Sequence, residues 1–108
     1  MSLDKKRGEQ EVNVSPPDTI GTGGASVAVA GTAVPLSATS ILCRFINVYA
    51  LATNTGNVFY GGSAVSSTSG GVLEQARDSG WFAIDDVSKV YIDCEAGNTD
   101  GVQYLYTV

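Results

Sequence analysis

Short apolar runs separated by turn residues dominate the sequence from Ala25 onward. The runs are rich in valine and other β-branched residues, which favour strands over helices. Glycine and asparagine recur between the runs, and the Asn-Thr-Gly-Asn sequence of residues 54–57 is typical of a hairpin turn. We therefore predict an all-β chain, folded as an antiparallel β-sandwich or jelly roll of six to eight short strands.

The longest apolar run predicts the best strand, at residues 42–52. Both of its faces are apolar apart from Arg44 and Asn47, so we expect a central strand covered on both sides. Residues 72–78 are the only candidate for a helix, and glycines flank them. Residues 85–88 predict a turn that Asp85 could cap. Further strands are predicted at residues 26–30, 57–60, 81–84, 89–94 and 102–108, with a short edge piece at 33–36.

The first 24 residues differ in composition from the rest and predict an extended or flexible N-terminal arm. Residues 25–108 are then the β-sandwich domain. Two consecutive prolines block helix in the arm and favour extended backbone, and the glycine-rich residues 21–24 are interpreted as a hinge. If a partner orders the arm, its candidate contact residues are Val12, Val14, Pro16, Pro17 and Ile20.

The net charge of −5 is unevenly distributed along the chain. Lys5, Lys6 and Arg7 are half of the basic residues, so the predicted domain is acidic. Nucleic-acid binding needs clustered lysine and arginine, and we therefore expect no nucleic-acid partner. The chain also contains neither a long apolar run nor an apolar signal sequence, which predicts no membrane partner and synthesis in the cytoplasm.

The chain contains no histidine, the commonest general base and metal ligand. Catalysis would need a pair of carboxylates, but Asp85, Asp86, Asp93 and Glu95 are interpreted as surface groups or local caps. A calcium site that also uses Asp100 is disfavoured because no loop has regularly spaced oxygen ligands. We predict that the chain is not an enzyme, with no catalytic, cofactor-binding or metal-binding residues and no cofactor.

Cysteine and aromatic residues leave alternatives open. For Cys43 and Cys94, two buried reduced thiols are favoured over a disulfide in a cytoplasmic protein. Trp81 is expected in the core, because Phe82 and Ile84 follow it. Tyr104 and Tyr106 alternate on the last predicted strand, where they either pack in the core or form a candidate subunit interface.

Residues 25–108 resemble small virion proteins of tailed bacteriophages. The resemblance is carried by the strand at 42–51 that leads into TNTGNVFYGG at 53–62, by DDVSKVYID at 85–93 and by GVQYLY at 101–106. The chain is similar to capsid decoration (cement) proteins and, alternatively, to head-fibre or tail components. No catalytic residue is implied by this resemblance.

The resemblance implies a structural virion protein. Such a protein binds the outer surface of a phage capsid and stabilises contacts between capsid subunits, here with the arm adding contacts to those of the domain. The expected partners are the major capsid protein and further copies of the chain in a homo-oligomer. The expected location is the capsid surface of the virion, after synthesis in the host cytoplasm. The alternative is a receptor- or carbohydrate-binding module of a phage fibre or tail, in which Trp81 stacks on sugar rings.

Overall fold

The computed structural model describes residues 19–108, which form eight β-strands and one short 3₁₀ helix. The all-β prediction is confirmed. In chain order the elements are β1 (Ile20–Ser26), β2 (Val34–Pro35), β3 (Phe45–Ala50), β4 (Val58–Gly61), β5 (Gly71–Leu73), β6 (Phe82–Ala83), the 3₁₀ helix (Val87–Lys89), β7 (Tyr91–Cys94) and β8 (Gly101–Thr107).

The strands form two antiparallel sheets of four strands each. Sheet I has the order β1–β8–β3–β6, and sheet II has the order β2–β7–β4–β5. The first and last strands are thus neighbours in sheet I, and most connections cross from one sheet to the other. This is the strand order of a jelly roll, in which two Greek keys share a single core.

The core lies between the two sheets and is built from alternate residues of each strand. Ile46 and Val48 of β3 face Val58 and Ile92 of sheet II, and all four side chains are fully buried. Burial of each such side chain contributes about 1.5–3 kcal/mol. At one edge, the rings of Tyr60 and Phe82 stack across the sheets with centroids 6.0 Å apart. The core is completed by Val27, Leu36, Ala50, Leu73, Val87, Val90 and Val102.

The predicted hinge at residues 21–24 and the predicted domain start at residue 25 are both wrong, because these residues belong to strand β1. Residues 21–24 pair with β8 throughout, so this glycine-rich segment is part of the sandwich. The glycines are needed because tyrosine rings of β8 occupy the space above them: a Cβ at Gly21 would lie 2.1 Å from Tyr106, and one at Gly23 would lie 2.3 Å from Tyr104. Aromatic rings that cover glycines on an edge strand stabilise it in this way. The sandwich therefore begins by Ile20, and residues 1–18 of the predicted arm lie outside the described residues.

Two other local predictions are wrong. Of the strand expected at residues 26–30, only Ser26 lies in a strand, as the last residue of β1; residues 27–30 form a bend in which Val27 is buried and Val29 is 63% exposed. The helix candidate at 72–78 is instead the short strand β5 followed by a turn, and this strand pairs with β4. In both segments, contacts with distant strands outweigh the local pattern.

Strand β3 is central, as predicted, between β8 and β6. Its inner face is buried in the core. Its outer face is only partly covered: Asn47 is buried, Tyr49 is half-buried and Phe45 is 44% exposed. The expectation that both faces would be covered is therefore wrong for the outer one, and the outer face of sheet I becomes a candidate surface for contacts with other molecules.

Candidate binding surface

Ile20 is the one predicted arm residue that the structure describes; Val12, Val14, Pro16 and Pro17 lie outside the described residues. Ile20 begins β1, its backbone pairs with Thr107, and its side chain is 67% exposed. Thr107 in turn pairs with Phe45 of β3, so Ile20, Thr107 and Phe45 lie in one row across the outer face of sheet I.

Further apolar side chains extend this row at the same end of the sandwich. The Val108 amide donates to the Thr19 carbonyl at 2.9 Å, which places Val108 beside the start of β1. Val108 and Leu42 line one shallow depression, and they are 47% and 72% exposed. We call Ile20, Leu42, Phe45 and Val108 the apolar end patch. Exposed apolar side chains are common singly, whereas four at one end of a fold, here beside the exposed Arg44, are a candidate for binding another molecule.

The surface beside Phe45 is lined mainly by apolar side chains. A second depression beside Phe45 is lined by Cys43, Ala83 and Ile84, with Arg44 and Asp85 at its rim. The buried hydroxyl oxygen of Thr107, in the middle of the row, has no hydrogen-bond partner. The apolar lining favours an apolar partner, whereas the Thr107 hydroxyl would need a polar group to satisfy it.

Cys43 and Cys94 are free thiols at opposite ends of the sandwich. The Cys43 thiol donates to the Ile84 carbonyl at 3.2 Å, near the apolar end patch. The Cys94 thiol donates to the Asn98 carbonyl at 3.3 Å, at the other end. Burial raises the pKa of both thiols, and nearby carboxylates add to this effect. Protonated, buried thiols are poor nucleophiles.

Asp86 holds the turn before β7 together. Its carboxylate accepts hydrogen bonds from the Ser40 hydroxyl, from the Ser88 hydroxyl and amide, and from the Ile41 amide at 3.0 Å. These bonds, led by that of Ser40, hold the pKa of Asp86 well below its usual range. Asp86 also caps the 3₁₀ helix, so the predicted cap at Asp85 is wrong: Asp85 is exposed and pairs with Lys89 instead.

Asp100 has a similar structural role at the opposite end. Its carboxylate accepts from the amides of Thr55 and Gly56, each at 2.9 Å. Asn54 lies beside it, fully engaged with the backbone of Gly101: the side-chain amide donates to the carbonyl at 2.9 Å and its oxygen accepts from the amide at 3.0 Å. These bonds fix the turn after β3 against the start of β8.

Asp93 is 2% exposed and accepts from the amides of Gly31 and Cys94. Its neighbour Glu95 accepts from the Asn57 amide at 3.2 Å. Of the carboxylates considered for catalysis, Asp86, Asp93 and Glu95 therefore accept backbone amides, whereas Asp85 pairs with Lys89. Among residues 19–108, no three His, Cys, Asp or Glu side chains are grouped so that they could hold a metal ion.

The predicted interface residues on β8 face inward. Tyr104 is 5% exposed and packs in the core, and Tyr106 is half-buried over Gly21, with the two ring centroids 6.1 Å apart. Neither ring forms an exposed ladder, so the packing interpretation is correct for Tyr104 and largely so for Tyr106. The sequence pattern did not identify Leu42, Phe45 and Val108 as surface residues. For Phe45, the sequence does show that its side chain lies on the opposite face of the strand from Ile46, so that only one of the two could face the core.

The expectation that Trp81 lies in the core is also wrong, because its side chain is 49% exposed. Continuing the pairing of β3 with β6 by one residue puts Trp81 opposite Asn47, on the outer face of sheet I. Tyr49 lies on the same face and borders a shallow groove with Gln103, Thr22 and Gly24. Phe82, the next residue along, takes the inward position that was expected for Trp81.

These features define a small jelly-roll domain with an apolar patch at one end and turns built from buried carboxylates. No protein-family model matches the chain, and no curated protein matches it. A solved structure from Bacillus endospore appendages, described as a novel family of disulfide-linked pili, is similar with a TM-score of 0.39 and 20% sequence identity. The similarity covers 90% of this chain and 99% of that one. No helix within residues 19–108 is long and apolar enough to cross a membrane.

Proposed function

We propose that this chain is a non-catalytic structural subunit that docks on a larger particle through the apolar end patch. On the sequence resemblance, the particle is a tailed-phage capsid, and the chain binds its outer surface as a decoration (cement) protein. The observation that carries the proposal is the grouping of Ile20, Leu42, Phe45 and Val108, each more than two-fifths exposed, at one end of the sandwich. Covering such a group by a partner is favourable by about 25 cal/mol for each Å² of apolar surface buried.

The position of Ile20 also supports the proposal. Ile20 is both a member of the patch and the first residue of β1, so residues 1–18 join the domain at the patch itself. If residues 12–17 contact the same partner, their contacts add to those of the patch. Linked contacts of modest strength multiply one another, because the second forms at a high effective concentration.

The engagement of the polar groups favours a structural over a catalytic role. Asp86, Asp93 and Asp100 each accept backbone amides, and the thiols of Cys43 and Cys94 are buried. A general base must lie within hydrogen-bond reach of the substrate proton that it removes, and a general acid must lie within reach of the substrate atom that it protonates. These three carboxylates are buried, so little of each is accessible to a substrate.

The proposal is tested with particles purified from cells that carry the gene and from cells in which it is deleted. We expect the chain to co-purify with a capsid, and electron microscopy to show surface density that is lost on deletion. The double variant Leu42→Gln/Phe45→Gln should fold, as judged by circular dichroism, yet fail to restore that density. The matched control is Val72→Gln, which changes an equally exposed apolar residue on sheet II. Particles of unchanged composition after deletion would contradict the proposal.

The exposure of Trp81 favours a second candidate, the carbohydrate-binding module of a phage fibre or tail. Trp81 and Tyr49 could stack on sugar rings, and Gln103 could hydrogen-bond to hydroxyls across the groove floored by Gly24. A glycan array tests this candidate. Binding should be lost in Trp81→Ala, partly retained in Trp81→Phe and unaffected in Val72→Gln. An array with no bound glycan for the wild-type chain removes the candidate.

A further inference from the structure

Strand β1 is an edge strand that carries none of the usual protections. Within residues 19–108 its other long side pairs with no strand. Its sequence, IGTGGAS, has neither a charged residue nor a proline over seven positions. Proteins usually block exposed edges with charges, prolines, bulges or very short strands, because a bare edge templates the addition of another strand.

The other three sheet edges are protected in these ways. In sheet II, β2 has two residues and one of them is Pro35, which lacks an amide hydrogen. At the opposite edge of sheet II, β5 has three residues. In sheet I, β6 has two residues. Only β1 offers seven residues to a partner strand, so it differs from the other edges by more than a factor of two in length.

The backbone groups that β1 presents outward follow from its pairing with β8. The amides of Val108 and Val27 bond to the carbonyls of Thr19 and Asp100, so the odd-numbered residues of this segment form the hydrogen-bonded pairs with β8. In an antiparallel ladder such pairs alternate with pairs whose backbone groups point away. The free edge is therefore lined by the amides and carbonyls of Ile20, Thr22, Gly24 and Ser26.

We propose that this edge pairs with the β1 strand of a second copy of the chain, antiparallel about a two-fold axis at Gly23. Ile20 then lies opposite Ser26 of the other copy, and Thr22 lies opposite Gly24. Each residue with outward-pointing backbone groups then lies opposite another such residue, and each of these four pairs forms two hydrogen bonds, about eight in all. The product is one continuous sheet of eight strands, four from each copy.

Three properties of β1 select a second copy as the occupant. The strand has seven residues centred on Gly23, so a second β1 strand has the same length and the same alternation of outward backbone groups. A two-fold pair of such strands leaves no free β1 edge to which a third copy could add. The chain has a net charge of −5, so two copies repel, and β1 is a segment in which no charges meet. On the outer face at the centre of β1, Thr22 has a small side chain and Gly24 has none, so side chains do not hinder a second strand there.

The dimer would also bring two patches together. Ile20 belongs to the apolar end patch, and the two-fold axis places the two copies of Ile20 on the same face of the joined sheet, at opposite ends of the new strand pair. The dimer thus presents two apolar end patches to a partner surface. Pairing of the two β1 strands involves only copies of this chain, so it forms whatever the partner surface is.

The first test is the oligomeric state of the full-length chain, measured by size-exclusion chromatography with light scattering. We expect twice the chain mass of 11.1 kDa for the wild type. Thr22→Pro should raise the dimer dissociation constant at least ~10-fold, because it removes an outward amide while every bond to β8 remains. Thr22→Val keeps that amide and should remain dimeric. A monomeric wild type, or a dimer that Thr22→Pro leaves intact, would overturn the proposal.

The second test fixes the register and does not require a variant that disrupts the edge. The single variants Ile20→Cys and Ser26→Cys are mixed and oxidised. Paired residues in a hydrogen-bonded antiparallel position have Cα atoms ~5.5 Å apart, within reach of a disulfide. We expect a covalent heterodimer in the mixture and little covalent dimer from either variant alone. Equal cross-linking of the separate variants, or none in the mixture, would rule out this pairing.

Discussion

The ring of Tyr104 lies over Gly23, so close that the space a Cβ would need at residue 23 is filled by the phenol end of the ring. The two residues face each other across the β1–β8 ladder. This contact explains how a segment of glycine, threonine and serine forms a seven-residue strand. The ring supplies the packing that the strand's own side chains lack.

The first prediction concerns the glycines of β1. Gly23→Ala should lower the free energy of unfolding by about 1–3 kcal/mol, because the added methyl group must displace a ring that is buried in the core. Gly21→Ala should cost less, since Tyr106 above it is half-buried and can turn toward solvent. Denaturant unfolding measures both.

Gly62→Ala is the control for these variants. A Cβ at residue 62 would meet nothing within 4 Å, so this change should be neutral or stabilise by about 0.4–1 kcal/mol through the unfolded state. If Gly23→Ala proved as stable as Gly62→Ala, the tyrosine contact would not be what maintains β1.

The second prediction is a dependence of stability on pH through Asp86. Hydrogen bonds from Ser40, Ser88 and Ile41 favour the ionised carboxylate in the folded state, which lowers its pKa. The stabilisation is complete above the ordinary pKa of 3.8 and is lost as the pH falls below that value. Asp86→Asn should be less stable than the wild type near pH 7, and the difference should shrink on acidification.

Urea unfolding at a series of pH values between neutral and acidic measures this effect. Glu74→Gln is the matched control, because Glu74 is exposed and its ion pair with Arg77 is 3.9 Å long. That variant should follow the wild-type curve. A constant difference between Asp86→Asn and the wild type at every pH would mean that the charge of Asp86 is not involved.

The third prediction concerns Asn54. Asn54→Ala should destabilise the fold by about 1–3 kcal/mol, because it leaves the buried amide and carbonyl of Gly101 without their side-chain partners. Asn54→Asp should be no more stable than Asn54→Ala near pH 7, because its buried carboxylate would face the Gly101 carbonyl and lie beside Asp100. Thr53→Ala, an exposed neighbour, serves as the control for thermal unfolding. Equal melting temperatures for Asn54→Ala and Thr53→Ala would exclude this role.

The fourth prediction concerns the thiols. Cys43 and Cys94 lie at opposite ends of the sandwich, so mass spectrometry without reductant should find both free and no intramolecular disulfide. Burial raises the pKa of each thiol, and both should therefore react slowly with a thiol-specific reagent at neutral pH until denaturant is added. Rapid labelling of either one in the native chain would show that its end of the sandwich opens.

The sequence predicts those strands in which apolar and polar side chains of the strand itself alternate. In β7 the alternation of Val90, Ile92 and Cys94 is visible without any partner, and β3 and β8 have similar patterns. Strand β1 could not be found in this way. Its pattern depends on the rings of Tyr104 and Tyr106, roughly eighty positions away along the chain, and glycines alone are also typical of a linker.

The candidate surface was harder to predict for a related reason. Whether an apolar side chain such as Phe45 or Trp81 faces the core depends on which of two apolar faces the second sheet covers. Local alternation identifies the two faces but does not rank them. For β3 the inner face is that of Ile46 and Val48, and this assignment requires the pairing of all the strands.

The adjacency of β1 and β8 has a consequence for the synthesis of the chain. Ile20 pairs with Thr107, so sheet I contains a contact that spans nearly all of the described residues. Folds dominated by such distant contacts form slowly, because a long loop must close before the contact is made. We expect the sandwich to assemble only after residue 107 has left the ribosome. Until then β1 is exposed along both edges, and chaperones that bind extended segments would have this strand available.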